Sequence, residues 1–283
     1  MIRLDAATVL LQWATGGLLF LWVTTRRREV GIGYGWLLRA VYGVLALAAA
    51  GVGLLVEVVA VRDLAAVGVA TAAGMALAVS IVRRKAGVAG ERARKERRAA
   101  RVAVMAGPRT AGEAPDTAMR EFPPVLDLVA PLIGLVGLVA AGASAGGPDA
   151  LAVARTLAGA VFLGAVSDAM LLGHWYLVQP GLGRGPLLEL NRWLAVTWPL
   201  EVGLLLWPTG MLSVLSGSVD DGWGGTLGWF WVACAVTTLV LTAVTRAALR
   251  ERAYSAFMAA TGLLYLAILT AFGTDLVARA VLA

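Results

Sequence analysis

The chain has 283 residues, of which 59% are hydrophobic and only 15% charged, with a net charge of +6 and a mean hydropathy of +0.80. Soluble domains carry about 25% charged residues, so a single water-surrounded core could not absorb this apolar surplus. One cysteine, Cys234, excludes an intramolecular disulfide framework and a cysteine-rich metal site.

In chain order, apolar runs near the roughly 20 residues needed to cross about 30 Å of hydrocarbon fall at 6–25, 34–60, 63–82, 123–144, 151–178, 188–215, 225–247 and 253–279. The expected class is therefore an all-α, polytopic integral membrane protein of about eight transmembrane helices. The first run has its basic cluster after it, at Arg26 to Arg28, and lacks a small-residue cleavage pattern, so it reads as a retained span. The second and third are separated only by a tight polar turn at Arg62-Asp63.

Strung through a membrane, this order leaves only Arg3, Arg62, Arg155 and Arg279 of the 24 Lys and Arg residues on one side. The loops 26–33, 83–122, 179–187 and 248–252 carry the others. By the positive-inside rule they face the cytoplasm and both termini face out, in a bacterial inner membrane. Long loops count for less in this rule. With the eight basic residues from Arg92 to Arg120 set aside, twelve still stand against four.

The chain thus divides into three spans at 1–82, a basic cytoplasmic helix and linker at 83–122, and five spans at 123–283. The run Glu91 to Arg101 is helix-prone and charged on all sides, and a Gly-, Pro- and Thr-containing linker follows it. Arg92, Arg94, Lys95, Arg97 and Arg98 are expected to meet anionic lipid headgroups, each contributing about 1 kcal/mol. No aromatic residues interleave the basic ones, which argues against nucleic acid as a partner. Partner membrane subunits fit the composition.

A faint repeat runs through the chain. Leu18, Leu19, Trp22 and Arg39 recur at one offset as Leu171, Leu172, Trp175 and Arg192. Positive-inside selection would itself place an Arg near each such helix start. A true repeat would make the protein two parallel four-helix halves about an axis along the membrane normal.

Polar chemistry concentrates in Ser167 to Trp198, which holds the only histidine. Asp168 falls about 15 Å from the cytoplasmic end of its span, and Glu201 on the next span at nearly the same depth, with no Lys or Arg expected there. Intramembrane carboxyls are functional candidates by default, so Asp168 and Glu201 are the proton-handling candidates. His174, Trp175, Tyr176, Gln179, Asn191, Arg192 and Trp193 could rim a ligand pocket at the cytoplasmic interface, although Trp and Tyr there also form the ordinary aromatic belt. Glu57, Asp127 and Asp275 sit near span ends, and Arg39 and Arg192 about a turn inside, where snorkelling would suffice.

No HExxH, GxSxG or Walker A pattern is present, and one histidine cannot supply a zinc site or an intrachain bis-histidine haem. No metal is expected. Three functions remain: a membrane-integral subunit handling protons or a quinone, whose carbonyls would take donors from the His174 region between aromatic walls; a proton-coupled secondary transporter of a small cation or polar solute; and an accessory subunit whose polar groups only lock helix packing.

Overall fold

The computed structural model describes residues 4–282, except 91, 94, 95, 98, 99, 101–120, 147, 148, 180, 209, 252 and 254. It is all-helical, with no strand among the described residues. The helices are α1 (Ala6–Thr25), α2 (Ile32–Val56), α3 (Ala60–Val82), α4 (Val129–Ser144), α5 (Asp149–Val178), α6 (Gly185–Leu206), the short α7 (Met211–Leu215), α8 (Thr226–Ala248) and α9 (Ser255–Val281). Turns of 3-10 helix lie at Arg84–Ala86 and Pro124–Leu128. Seven helical segments are long and apolar enough to cross a membrane: α1, α2, α3, α4 with its preceding turn, α5, α8 and α9.

Two element boundaries depart from the sequence reading. Arg62-Asp63 is not a turn. The break falls at Glu57–Val59, and Arg62 and Asp63 lie in the first turn of α3, both buried. The Asp63 carboxylate accepts from the Val59 N–H at 3.0 Å and Arg62 donates to the Glu57 carbonyl at 2.7 Å, so the two charges satisfy backbone groups at the helix junction. The expected run 188–215 is also divided. α6 tolerates Pro199 inside it but ends at Leu206, before Pro208, which has no N–H to continue the ladder and leaves Trp207 extended (φ −128°, ψ 150°). Of the basic segment, residues 92, 93, 96, 97 and 100 are helical, whereas Arg94, Lys95, Arg98 and the linker lie outside the described residues.

Helix neighbours form two closed rings in the same chain order: α1–α2–α3–α4 and α5–α6–α8–α9, joined where α5 packs on α1 and α4. α1 and α5 bury about two thirds or more of their apolar windows, while α2, α8 and α9 bury a third and turn Leu47, Leu54, Leu55, Leu239 and Leu269 outward. Such exposure is costly in water and costs nothing in hydrocarbon.

Candidate functional site

Asp168 lies ten residues short of the end of α5, about 15 Å along the helix. It is fully buried where α5 meets α2. The Tyr42 hydroxyl donates to its Oδ1 at 2.5 Å, and the Tyr34 hydroxyl to its backbone carbonyl at 3.4 Å. Oδ2 has no hydrogen-bond partner among the described residues. Both tyrosines are fully buried on one face of α2, eight residues apart, so α2 aims two hydroxyls at one point of α5.

Glu201 is elsewhere. Because α6 stops at Leu206, Glu201 lies five residues from its C-terminal end and sixteen from its start, whereas Asp168 lies ten from the adjoining end of α5. It is fully buried, and neither of its carboxyl oxygens has a hydrogen-bond partner among the described residues; Asp275, Arg279 and Arg155 act on it electrostatically without a direct bond, so the expectation that no Lys or Arg lies near it does not hold. Arg279 donates from Nε to Asp275 Oδ2 at 2.7 Å and from Nη2 to Oδ1 at 3.2 Å. Arg155 donates from Nε to the Leu204 carbonyl at 2.8 Å, closing α5 onto α6. On the first ring, Arg62 pairs with Asp5 and Asp63. The side chain of Gln12 on α1 bridges the rings by donating to the Thr156 carbonyl at 2.6 Å.

Arg62, Arg155 and Arg279 are the three largest fully buried side chains among the described residues. They are also three of the four exceptions to the charge asymmetry. The expected charge asymmetry was thus the signal available in the sequence, since it set these arginines apart from the others. Arg39 and Asp127 do not snorkel either. Arg39 Nε donates to Asp127 Oδ1 at 2.7 Å and Nη2 to Oδ2 at 2.8 Å, with both side chains at most 3% exposed. Asp275 is likewise enclosed, not water-facing.

The interfacial residues separate into three places. Trp175 donates to Gln179 Oε1 at 2.8 Å and packs beside Tyr34, at the start of α2. Tyr176 donates to the Gly183 carbonyl and stacks on Phe257, while His174 is exposed and meets Tyr265 at 3.3 Å. Asn191 donates to the Thr242 carbonyl at 3.1 Å, and with Arg192 and Trp193 it lines a cleft of about 670 Å³ between α6, the end of α8 and Arg27.

No known family, curated protein or solved structure matches the chain. The geometry alone therefore carries the functional reading. Among the described residues no three His, Cys, Asp or Glu side chains group as metal ligands. Arg92, expected at headgroups, pairs with Glu121 and donates to the Ala86 carbonyl.

Proposed function

We propose that the chain is a membrane-integral, proton-handling protein of eight crossings, with α6 as the eighth, in a bacterial inner membrane. Both termini face out and the basic loop faces the cytoplasm. The two helix rings, in the same chain order, support reading them as parallel repeats, with Trp22 and Arg39 of the first matching Trp175 and Arg192 of the second. The repeat has diverged: Arg39 is buried against Asp127, while Arg192 opens into the cleft.

The observation that carries the function is Asp168, with one carboxyl oxygen held by Tyr42, the other without a partner, and no cation in hydrogen-bonded contact. An ionised carboxylate so placed costs several kcal/mol. A protonated one keeps its hydrogen on the unpartnered Oδ2 while Tyr42 fixes Oδ1. The group is then poised to give up and regain a proton, with the tyrosine hydroxyl stabilising the transient anion. The Glu201, Asp275, Arg279 and Arg155 cluster lies toward the outer end and supplies a second station on the other side of the midplane.

A single quinone pocket built from His174, Trp175, Tyr176, Gln179, Asn191, Arg192 and Trp193 together finds no support, because they occupy three separate places. This favours proton handling as the lead. Coupled transport of a small solute would use the same carboxyl with a cavity beside it. Asp168 lines none of the described cavities.

The test is proton flux into liposomes containing the purified protein and a trapped pH-sensitive dye. Asp168→Asn should cut the flux at least about tenfold, and Tyr42→Phe by a smaller factor. If wild type and Asp168→Asn relax at the same rate, Asp168 is only a packing group and the accessory reading stands.

A further inference from the structure

The largest described cavity is lined by both charged and apolar side chains. Four guanidinium groups, from Arg27, Arg192, Arg246 and Arg250, line it against one carboxylate, Glu189. That carboxylate is already taken by Arg26 and by Arg27, the latter at 3.4 Å. Arg192, Arg246 and Arg250 have no acidic partner among the described residues, although they share one cleft and repel one another there. Its apolar lining includes Leu188, Trp193 and Val196, the last two exposed. Arg250 lies past the end of α8, while Val196 lies eleven residues into α6, about 16 Å along its axis. Arg192 and Val196 are four residues apart on α6, about one helical turn, so guanidinium and hydrocarbon lie side by side in the cleft.

We infer that this cleft binds an anionic phosphate-bearing amphiphile, its phosphate held by Arg192, Arg246 and Arg250 and its chain laid along Trp193 and Val196. Guanidinium groups engage phosphate oxygens in pairs, with charge-assisted hydrogen bonds about twice as strong as neutral ones. A compensating ammonium on the headgroup would meet the same arginines and be repelled, so the site selects net negative charge and not phosphate alone. The inference needs the membrane reading but not Asp168, and its failure would leave the proton proposal intact.

Native mass spectrometry of the detergent-purified protein, titrated with short-chain phosphatidylglycerol, tests it. One equivalent should bind per chain, and Arg192→Ala combined with Arg246→Ala should weaken binding at least about tenfold, as expected for the loss of two charge-assisted contacts. Arg84→Ala with Lys85→Ala, at basic positions of the α3 end, should leave it unchanged. Short-chain phosphatidylcholine should bind at least about tenfold more weakly, because its ammonium faces the arginines. Glycerol phosphate separates the two sources of the same chemistry: weaker binding than the tailed probe assigns the site to a lipid, and equal binding overturns the lipid occupant in favour of a soluble phosphate. Equal affinity of wild type and the double variant for phosphatidylglycerol would overturn the site itself. A cooperative unfolding transition of the ligand-free double variant close to the wild-type temperature checks that a folded variant is being compared, and phosphatidylglycerol should then raise that temperature in wild type only.

Discussion

Arg39 and Asp127 meet through two parallel hydrogen bonds inside the first ring, and the guanidinium also lies 4.3 Å from the Phe122 ring centre. A buried pair of this kind contributes little compared with an apolar pair of the same volume, but removing one partner strands the other. Arg39→Leu should therefore destabilise the protein by about 3–5 kcal/mol, and Arg39→Leu with Asp127→Leu should recover most of that loss. Thermal unfolding in detergent of the two single variants and the double variant gives the coupling directly. An additive double variant would mean that the two charges do not depend on one another. The Asp168 hydroxyl contact is of another kind, since Tyr42→Phe removes a neutral donor. Its cost should be small, about 1 kcal/mol as for interhelical hydrogen bonds in membranes, so a large flux defect in that variant would report on chemistry and not on unfolding.

At the scale of the element, the two rings meet most closely where α1 crosses α5. A Cβ on Gly16 would sit 1.8 Å from the Ala160 carbonyl oxygen, and one on Gly164 2.2 Å from the Gly16 backbone. Small residues on both sides let the backbones touch, as helix pairs in membranes commonly do. Gly16→Val should cost about 3 kcal/mol or more, seen as loss of folded yield. Gly51→Ala, where a Cβ meets nothing within 4 Å, should be neutral or stabilising by about the helix propensity difference of 1 kcal/mol.

The start of α8 carries a different device. Asp221 accepts from the Trp223, Gly225, Leu227 and Gly228 N–H groups at 2.8–3.3 Å and so caps the helix from the preceding loop. Desolvation opposes the charge, but these donors outweigh it and hold the carboxyl below its ordinary value. A depressed folded value means stability present above the unfolded value and lost as the pH falls through the folded one. Asp221→Ala should thus lower the unfolding temperature at neutral pH. The difference should shrink as the pH drops below the ordinary aspartate value of about 3.9.

These elements also mark how far the sequence could be read. Helix existence followed from apolar length alone, because the hydrocarbon sets that length. The ends did not, because they depend on which polar group satisfies the backbone: Asp63 accepting from Val59 moved one boundary, and Pro208 closed another. The halves of the candidate site differ in the same way. The depth of Asp168 could be counted along α5, whereas its partners on α2 and the cluster around Glu201 depend on which helices touch, and a single chain order does not contain that. The three buried arginines could have been suspected from the charge asymmetry they break, and Gly16 from nothing but its contact.

At the scale of the whole molecule, α6 decides the topology. Seven helical segments pass on length and hydropathy, and α6 falls outside that set although its 22 residues are long enough, because Glu189, Arg192 and Glu201 dilute its apolar character. Each of those charges sits in a different place: Glu189 pairs with Arg26 near the helix start, Arg192 opens into the cleft about two turns in, and Glu201 is fully buried near the other end of α6. Charged side chains occur in spanning helices where they are paired, face the protein interior or reach the interface, so three of them do not prevent crossing. α6 also packs on α5 and α8, both apolar enough to span, so leaving it outside the membrane would expose its neighbours' polar groups to lipid. The loops on either side of α6 offer the measurement. In a Cys234→Ala background, Gly183→Cys and Ser218→Cys place single exposed thiols before and after it. A membrane-impermeant maleimide applied to intact cells should label the Ser218→Cys chain and spare the Gly183→Cys chain, and inverted vesicles should show the opposite pattern. Labelling of both from one side would remove α6 from the crossing count, place the two termini on opposite faces, and leave the charge asymmetry without its explanation.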